Sequence, residues 1–155
     1  MMSIINEIMS FKIPDKMREM NQEEYGKFFR SSGEENYGLY NEEKHTVISV
    51  AYKKRPLLLG RSASAEETLK TTEKKLSKQI PAFEITEYKN ETVDGESKGS
   101  FYFQYTVQGV KQTGEYVLCC FPKYNCSFEY ICREDHKDFA EQKFHEFISS
   151  VKFTK

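Results

Sequence analysis

Phe101-Tyr102-Phe103-Gln104-Tyr105-Thr106-Val107-Gln108-Gly109 is the stretch on which the fold of this chain turns. Phe101, Phe103, Tyr105 and Val107 occupy every second position, so on a strand they share one face, and Gln108-Gly109 supplies a tight turn behind them. The same grammar extends to both sides. Residues 83–90, 97–107, 114–121 and 125–133 read as strands, separated by turn residues at Val93-Asp94-Gly95, Gln108-Gly109 and Pro122-Lys123-Tyr124-Asn125. In the last of them Cys126, Phe128, Tyr130 and Cys132 share a face. Such alternation predicts an antiparallel meander with one covered face and one partly wet face.

Upstream of the meander lies the clearest helix start in the chain, Ser64-Ala65-Glu66-Glu67, in which Ser64 caps the amide three residues on and Glu67 reaches back. Ala65, Leu69, Thr72, Leu76 and Ile80 follow at helical spacing, and Pro81 closes the segment. Before it, residues 37–41 and 45–54 read as two strands around the polar turn Asn41-Glu42-Glu43-Lys44. Ile48, Val50 and Tyr52 form one face of the second; Val47, Ser49 and Ala51 form the other. A short helix opens near Asn21, and residues 4–13 read as an opening strand with Ile5, Met9, Phe11 and Ile13 in alternation, stopped by Pro14-Asp15. The chain closes on a helix from about Asp135 to Ser149 with Ala140, Phe144, Phe147, Ile148 and Val151 as its apolar stripe. The order predicts an α+β fold in which an antiparallel sheet carries helices on its faces, not alternating βαβ units. With no repeat and no long linker, residues 1–155 read as one domain.

A domain of this length buries about 68–70% of its unfolded surface, enough to need no metal or disulfide. The chain's 12 Phe and 10 Tyr predict an aromatic-rich core. Lys+Arg 23 against Asp+Glu 24 leaves a net charge of -1, so no global field draws in nucleic acid or anionic membrane. No stretch approaches the roughly 20 apolar residues of a membrane helix. The opening residues lack a basic region followed by an apolar one, which leads to the expectation of a cytoplasmic protein with reduced cysteines.

Catalytic chemistry needs a nucleophile, a base and an orienting group at workable spacing. Cys119, Cys120, Cys126 and Cys132 form no C-x-x-C pair, and read as small apolar residues on strands. His45, His136 and His145 show no ligand spacing with them. His45 reads as a solvated turn residue. His136 and His145 are nine residues apart, on opposite sides of a helix, and cannot form one site. The glycines fall into no phosphate-binding loop. No catalytic, cofactor or metal residue is therefore expected. The segment that stands out is Lys53-Lys54-Arg55-Pro56-Leu57-Leu58-Leu59-Gly60-Arg61, three leucines between cations. Arg55, Leu57, Leu58, Leu59 and Arg61 are the candidate partner-binding residues, unless the leucines tuck beneath the long helix.

Several pieces together resemble the PsbP-like superfamily: an opening strand ending in Phe11-Lys12-Ile13-Pro14, a short helix with Met17, Met20 and Phe28, and a strand like 45–54. The long helix ending in Ile80-Pro81-Ala82-Phe83, the Val93-Asp94-Gly95 turn, the paired strands 101–107 and 115–121, and the close at Ile148-Ser149-Ser150-Val151-Lys152-Phe153 extend the likeness over nearly the whole chain. The resemblance implies a three-layer α/β/α sandwich and a non-catalytic role in binding another protein. Its members bind different partners, among them the small GTPase Ran, and none of their binding residues maps onto this chain. The expected function is a protein-interaction module, adaptor or chaperone-like. The alternatives are a small-ligand or lipid carrier with an aromatic cleft between sheet and helix, and an enzyme with Cys119, Cys120 or Cys126 as nucleophile.

Overall fold

The computed structural model describes residues 2–5, 9–21, 23, 35–54, 70, 73, 74, 76–78, 83–93, 96–120 and 124–153. Strands β3 (Arg18–Glu19), β4 (Glu35–Asn41), β5 (Thr46–Lys54), β6 (Glu84–Val93), β7 (Glu96–Val107), β8 (Val110–Cys120) and β9 (Tyr124–Arg133) form one sheet of seven strands. Its order is β3-β4-β5-β9-β8-β7-β6, and every neighbouring pair is antiparallel. The meander β6 to β9 therefore sits on one side, and β9 closes against β5, as four turn-linked strands and an earlier hairpin require. The β7–β8 hairpin turns on two residues. Gln108 and Gly109 have φ of 50° and 80°, the left-handed pair that lets a two-residue loop follow the twist of the strands.

Two sequence expectations are corrected near the termini. Residues 4–13 do not form one strand: β1 (Met2–Ile5) and β2 (Met9–Lys12) pair antiparallel, with Ile5 opposite Met9. The polar Asn6-Glu7 step breaks the apolar alternation that a single strand would need. Val151 is not on the final helix either. It is the extended residue that ends it, and β10 (Lys152–Phe153) then pairs with β2, making a small sheet β1-β2-β10. Smaller shifts are that β8 starts at Val110 and that β9 starts one residue early, at Tyr124.

The C-terminal helix (Lys137–Ser150), preceded by a 3-10 turn at Glu134–His136, lies on one face of the large sheet. Its buried Ala140, Phe144 and Phe147 meet Leu39, Ile48, Val50, Phe128 and Tyr130 from the strands, with Met9, Phe11 and Met17 filling the near end. Tyr130 stacks obliquely on Phe144 at 4.9 Å, and Phe147 takes Phe11 edge-on at 4.8 Å. Lys70, Glu73, Lys74, Leu76, Ser77 and Lys78 are helical, and Leu76 packs on the opposite face with Phe83, Phe101, Phe103 and Leu118. The sandwich of helix, sheet and helix is the expected one. Ser64 to Leu69, and the helix predicted after Asn21 apart from Glu23, lie outside the described residues.

Gly114 is fixed by crowding. A Cβ there would stand 2.6 Å from Phe103 Cζ and closer still to the backbone oxygen of Tyr130. Backbone cannot swing aside as a flexible side chain can, so Gly114→Ala is expected to cost about 1–3 kcal/mol by overpacking. Urea denaturation measures it, and an unchanged midpoint would show that β8 and β9 are looser than described.

Candidate functional site

At one edge of the large sheet, two turns and the start of the C-terminal helix border an open, shallow groove of about 670 Å³ lined by Lys16, Met17, Arg18, Tyr40, Asn41, Glu42, Glu43, Lys44 and Phe139. The first turn follows Pro14. The Met17 amide donates to the Pro14 carbonyl at 3.2 Å, which places Lys16 in the left-handed region with φ of 71°. The second joins β4 to β5, where the His45 amide donates to the Glu42 carbonyl at 3.3 Å and His45 has φ of 44°. Non-glycine residues hold such angles only where their surroundings fix them.

Asn41 does the fixing. Its Nδ2 donates to the Lys16 carbonyl at 2.7 Å, while its Oδ1 accepts from the Lys44 amide at 2.9 Å. One amide side chain thus locks both turns, bonding across the second to the amide three residues on. Nearby, Arg18 Nη2 meets Glu42 Oε1 at 2.7 Å, and the guanidinium lies over the Tyr40 ring at 5.3 Å. The Lys44 and Lys143 ammonium groups stand 5.9 and 5.8 Å from the centroid of Phe139. The Arg18–Glu42 pair is well exposed, at 46% and 68%, so it orients more than it stabilises. The groove has an apolar floor of Met17, Tyr40 and Phe139 and a charged rim.

The sequence reading located both turns but not their meeting. Pro14-Asp15 appeared as a strand stop and 41–44 as a solvated turn, and only the β3–β4 pairing brings them together. Phe139 lay off the apolar stripe, which was the one signal of a second role. The candidate loop Arg55, Leu57, Leu58, Leu59 and Arg61 lies outside the described residues.

His136 and His145 lie apart, as their spacing implied, but His45 departs from expectation. His45 is half-buried, not solvated, and its ring lies 5.7 Å from that of His136, whose Nε2 is 3.7 Å from Asp135. Sequence gave no hint of this meeting across 91 positions. His145 lies elsewhere, 3.8 Å from the buried Glu115, too far for a hydrogen bond. Among the described residues no group of three or more His, Cys, Asp or Glu is placed to hold a metal ion.

Cys119, Cys126 and Cys132 are free thiols. Burial pushes the Cys126 thiol up to about 12, with Cys119 adding to it, and burial likewise carries Cys132 to about 12. Both stay protonated, which removes the thiolate that nucleophilic attack requires. On the sheet face away from the C-terminal helix, Glu129 lies opposite Ser49 on β5 and Tyr116 on β8. The residue keeps partial exposure, yet the surrounding protein strips water from its carboxyl and pushes it up to about 8. Tyr105, raised to about 12 by burial and then by Glu129 and Cys132, shares that face. The aromatics there pack on one another, Phe101 on Tyr116 at 5.3 Å and Phe103 on Tyr105 at 6.1 Å.

No protein-family model matches the sequence, and no curated protein matches it. Solved structures match its fold. The cyanobacterial PsbP of Synechocystis sp. PCC 6803 superposes with a TM-score of 0.72 at 14% identity, over 97% of this chain and 89% of that one. LpqN of Mycobacterium tuberculosis, involved in cell-envelope biogenesis, gives 0.69 at 14% identity over 95% and 83%. The Saccharomyces cerevisiae Ran-binding protein Mog1p gives 0.60 at 9% identity over 96% and 91%. The fold is PsbP-like, as the sequence resemblance implied.

Proposed function

We propose that this chain is a protein-interaction module that docks a segment of another protein in the groove between β3, the β4–β5 turn and the C-terminal helix. The observation that carries the reading is the groove itself: an apolar floor of Met17, Tyr40 and Phe139 beneath a charged rim, with both of its turns locked by Asn41. A preformed site loses little ordering entropy on binding, which favours recognition of a flexible partner segment. The fold likeness supports the reading, since Mog1p is a Ran-binding protein that shares this architecture. The carrier alternative draws less support. Phe101, Phe103, Tyr105 and Tyr116, the rings that would line its cleft, stack on one another beside Leu76 and Phe83.

The test is site-specific photocrosslinking in native lysate. A photoreactive residue replaces Glu43 at the groove, Leu58 in the 55–61 segment, or Val110 at the far hairpin, where the side chain is 38% exposed. The groove reading expects one discrete protein adduct from position 43 and none from 110. An adduct from 58 alone moves the interface to that segment; equal adducts from 43 and 110, or none anywhere, sinks the groove.

A further inference from the structure

We infer that the partner segment is acidic, with carboxylates flanking an apolar anchor; this rests on the groove being the docking site. Five charged residues line the groove, three cations against two carboxylates. Arg18 is taken by Glu42. Lys16 and Lys44 take part in no ion pair among the described residues, and Lys44 stands over Phe139, itself packed against the core. Lys143, 5.8 Å from the centroid of the same ring, adds a further cation, partly satisfied by Glu146 at 3.5 Å.

The backbones of these two lysines are tied to each other, because Asn41 bonds the carbonyl of one and the amide of the other. Carboxylates landing on the two ammonium groups would form charge-assisted hydrogen bonds without first breaking an ion pair among the described residues. In the same lining, the half-buried Tyr40 and Phe139 offer apolar area to one aliphatic or aromatic side chain. A basic segment would meet Lys16 and Lys44 as like charges and, unless it displaced Arg18 from Glu42, would find only Glu43 as a counter-charge among the lining carboxylates. Of the two lining carboxylates only Glu43 lacks an ion pair among the described residues, and it opposes the acidic ligand.

Fluorescence anisotropy of the full chain with a fluorescein-labelled Glu-Glu-Phe-Glu-Glu peptide tests this, with Gln-Gln-Phe-Gln-Gln, Lys-Lys-Phe-Lys-Lys and an unlabelled oligo-dT as comparisons. The acidic peptide is expected to bind tightest and to weaken as salt rises. Lys16→Glu with Lys44→Glu should weaken it about tenfold, while Glu43→Gln should strengthen it about two- to threefold. Asn41→Ala acts through position alone, and should weaken binding severalfold although no charge changes. Melting temperatures within a few degrees of wild type keep these effects separate from unfolding. Equal binding of the basic or neutral peptide, full competition by oligo-dT, or indifference to the lysine reversals overturns the inference. An adduct at position 43 without acidic-peptide binding leaves the groove reading standing and this inference refuted.

Discussion

Phe147→Ala is expected to remove about 3–5 kcal/mol of stability, the range for deleting a fully buried ring that its surroundings cannot collapse to fill. The ring is 0% exposed. It meets Phe11 at 4.8 Å and Phe128 at 6.2 Å, both edge-on, so one side chain joins the small sheet, the C-terminal helix and the large sheet. Phe11 in turn meets Tyr37 edge-on at 5.0 Å, which extends the contact to β4. Next to it, Ser150 Oγ accepts from the Lys12 amide at 2.9 Å and donates to the Phe147 carbonyl at 2.7 Å, so backbone bonds resist any inward shift. A domain holds only about 5–15 kcal/mol in total. Equilibrium urea denaturation of Phe147→Ala against wild type measures the loss, with Phe147→Leu as a milder control. A loss below about 1 kcal/mol would mean that the helix end does not seat on β2.

What the sequence could reveal followed from local period and local turn chemistry. The alternation Phe101, Phe103, Tyr105 and the helical stripe Ala140, Phe144, Phe147 are each set by neighbours within a few positions, and both appear where expected. Gln108-Gly109 located its hairpin for the same reason. The failures have other causes. β10 depends on a pairing that joins Lys152 to Ser10, and a two-residue strand carries no period; the β1–β2 pairing is local, and its signal was the Asn6-Glu7 break in the alternation. The groove needed Asn41 to reach Lys16, and the separate histidine contact needed His45 to meet His136, each through contacts that no local pattern encodes. Glu129 was legible as an out-of-phase residue between Phe128 and Tyr130, but its depth was not, because that depends on what β5 and β8 place around it.

Glu129→Gln is expected to stabilise the protein, and by more as pH rises. Burial pushes this carboxyl from 4.5 up to about 8 in the folded chain, so the folded state binds its proton more tightly than the unfolded state does. Stability from this group is therefore fully present below about pH 4.5, falls as pH rises towards about 8, and is level above that. Each pH unit in the window is worth at most about 1.4 kcal/mol. Because the residue retains partial exposure, about 2–3 kcal/mol is the expected total at pH 7. Glutamine keeps the shape and cannot ionise, so the difference between variant and wild type isolates Glu129 from every other titrating group. Near pH 4.5 the two proteins should denature together in urea. At pH 7 the variant should be the more stable by that amount, and Tyr105, relieved of the neighbouring carboxylate, should titrate lower in its ultraviolet spectrum. A difference that stays flat from pH 5 to 8 would mean that the carboxyl is solvated and ionised throughout.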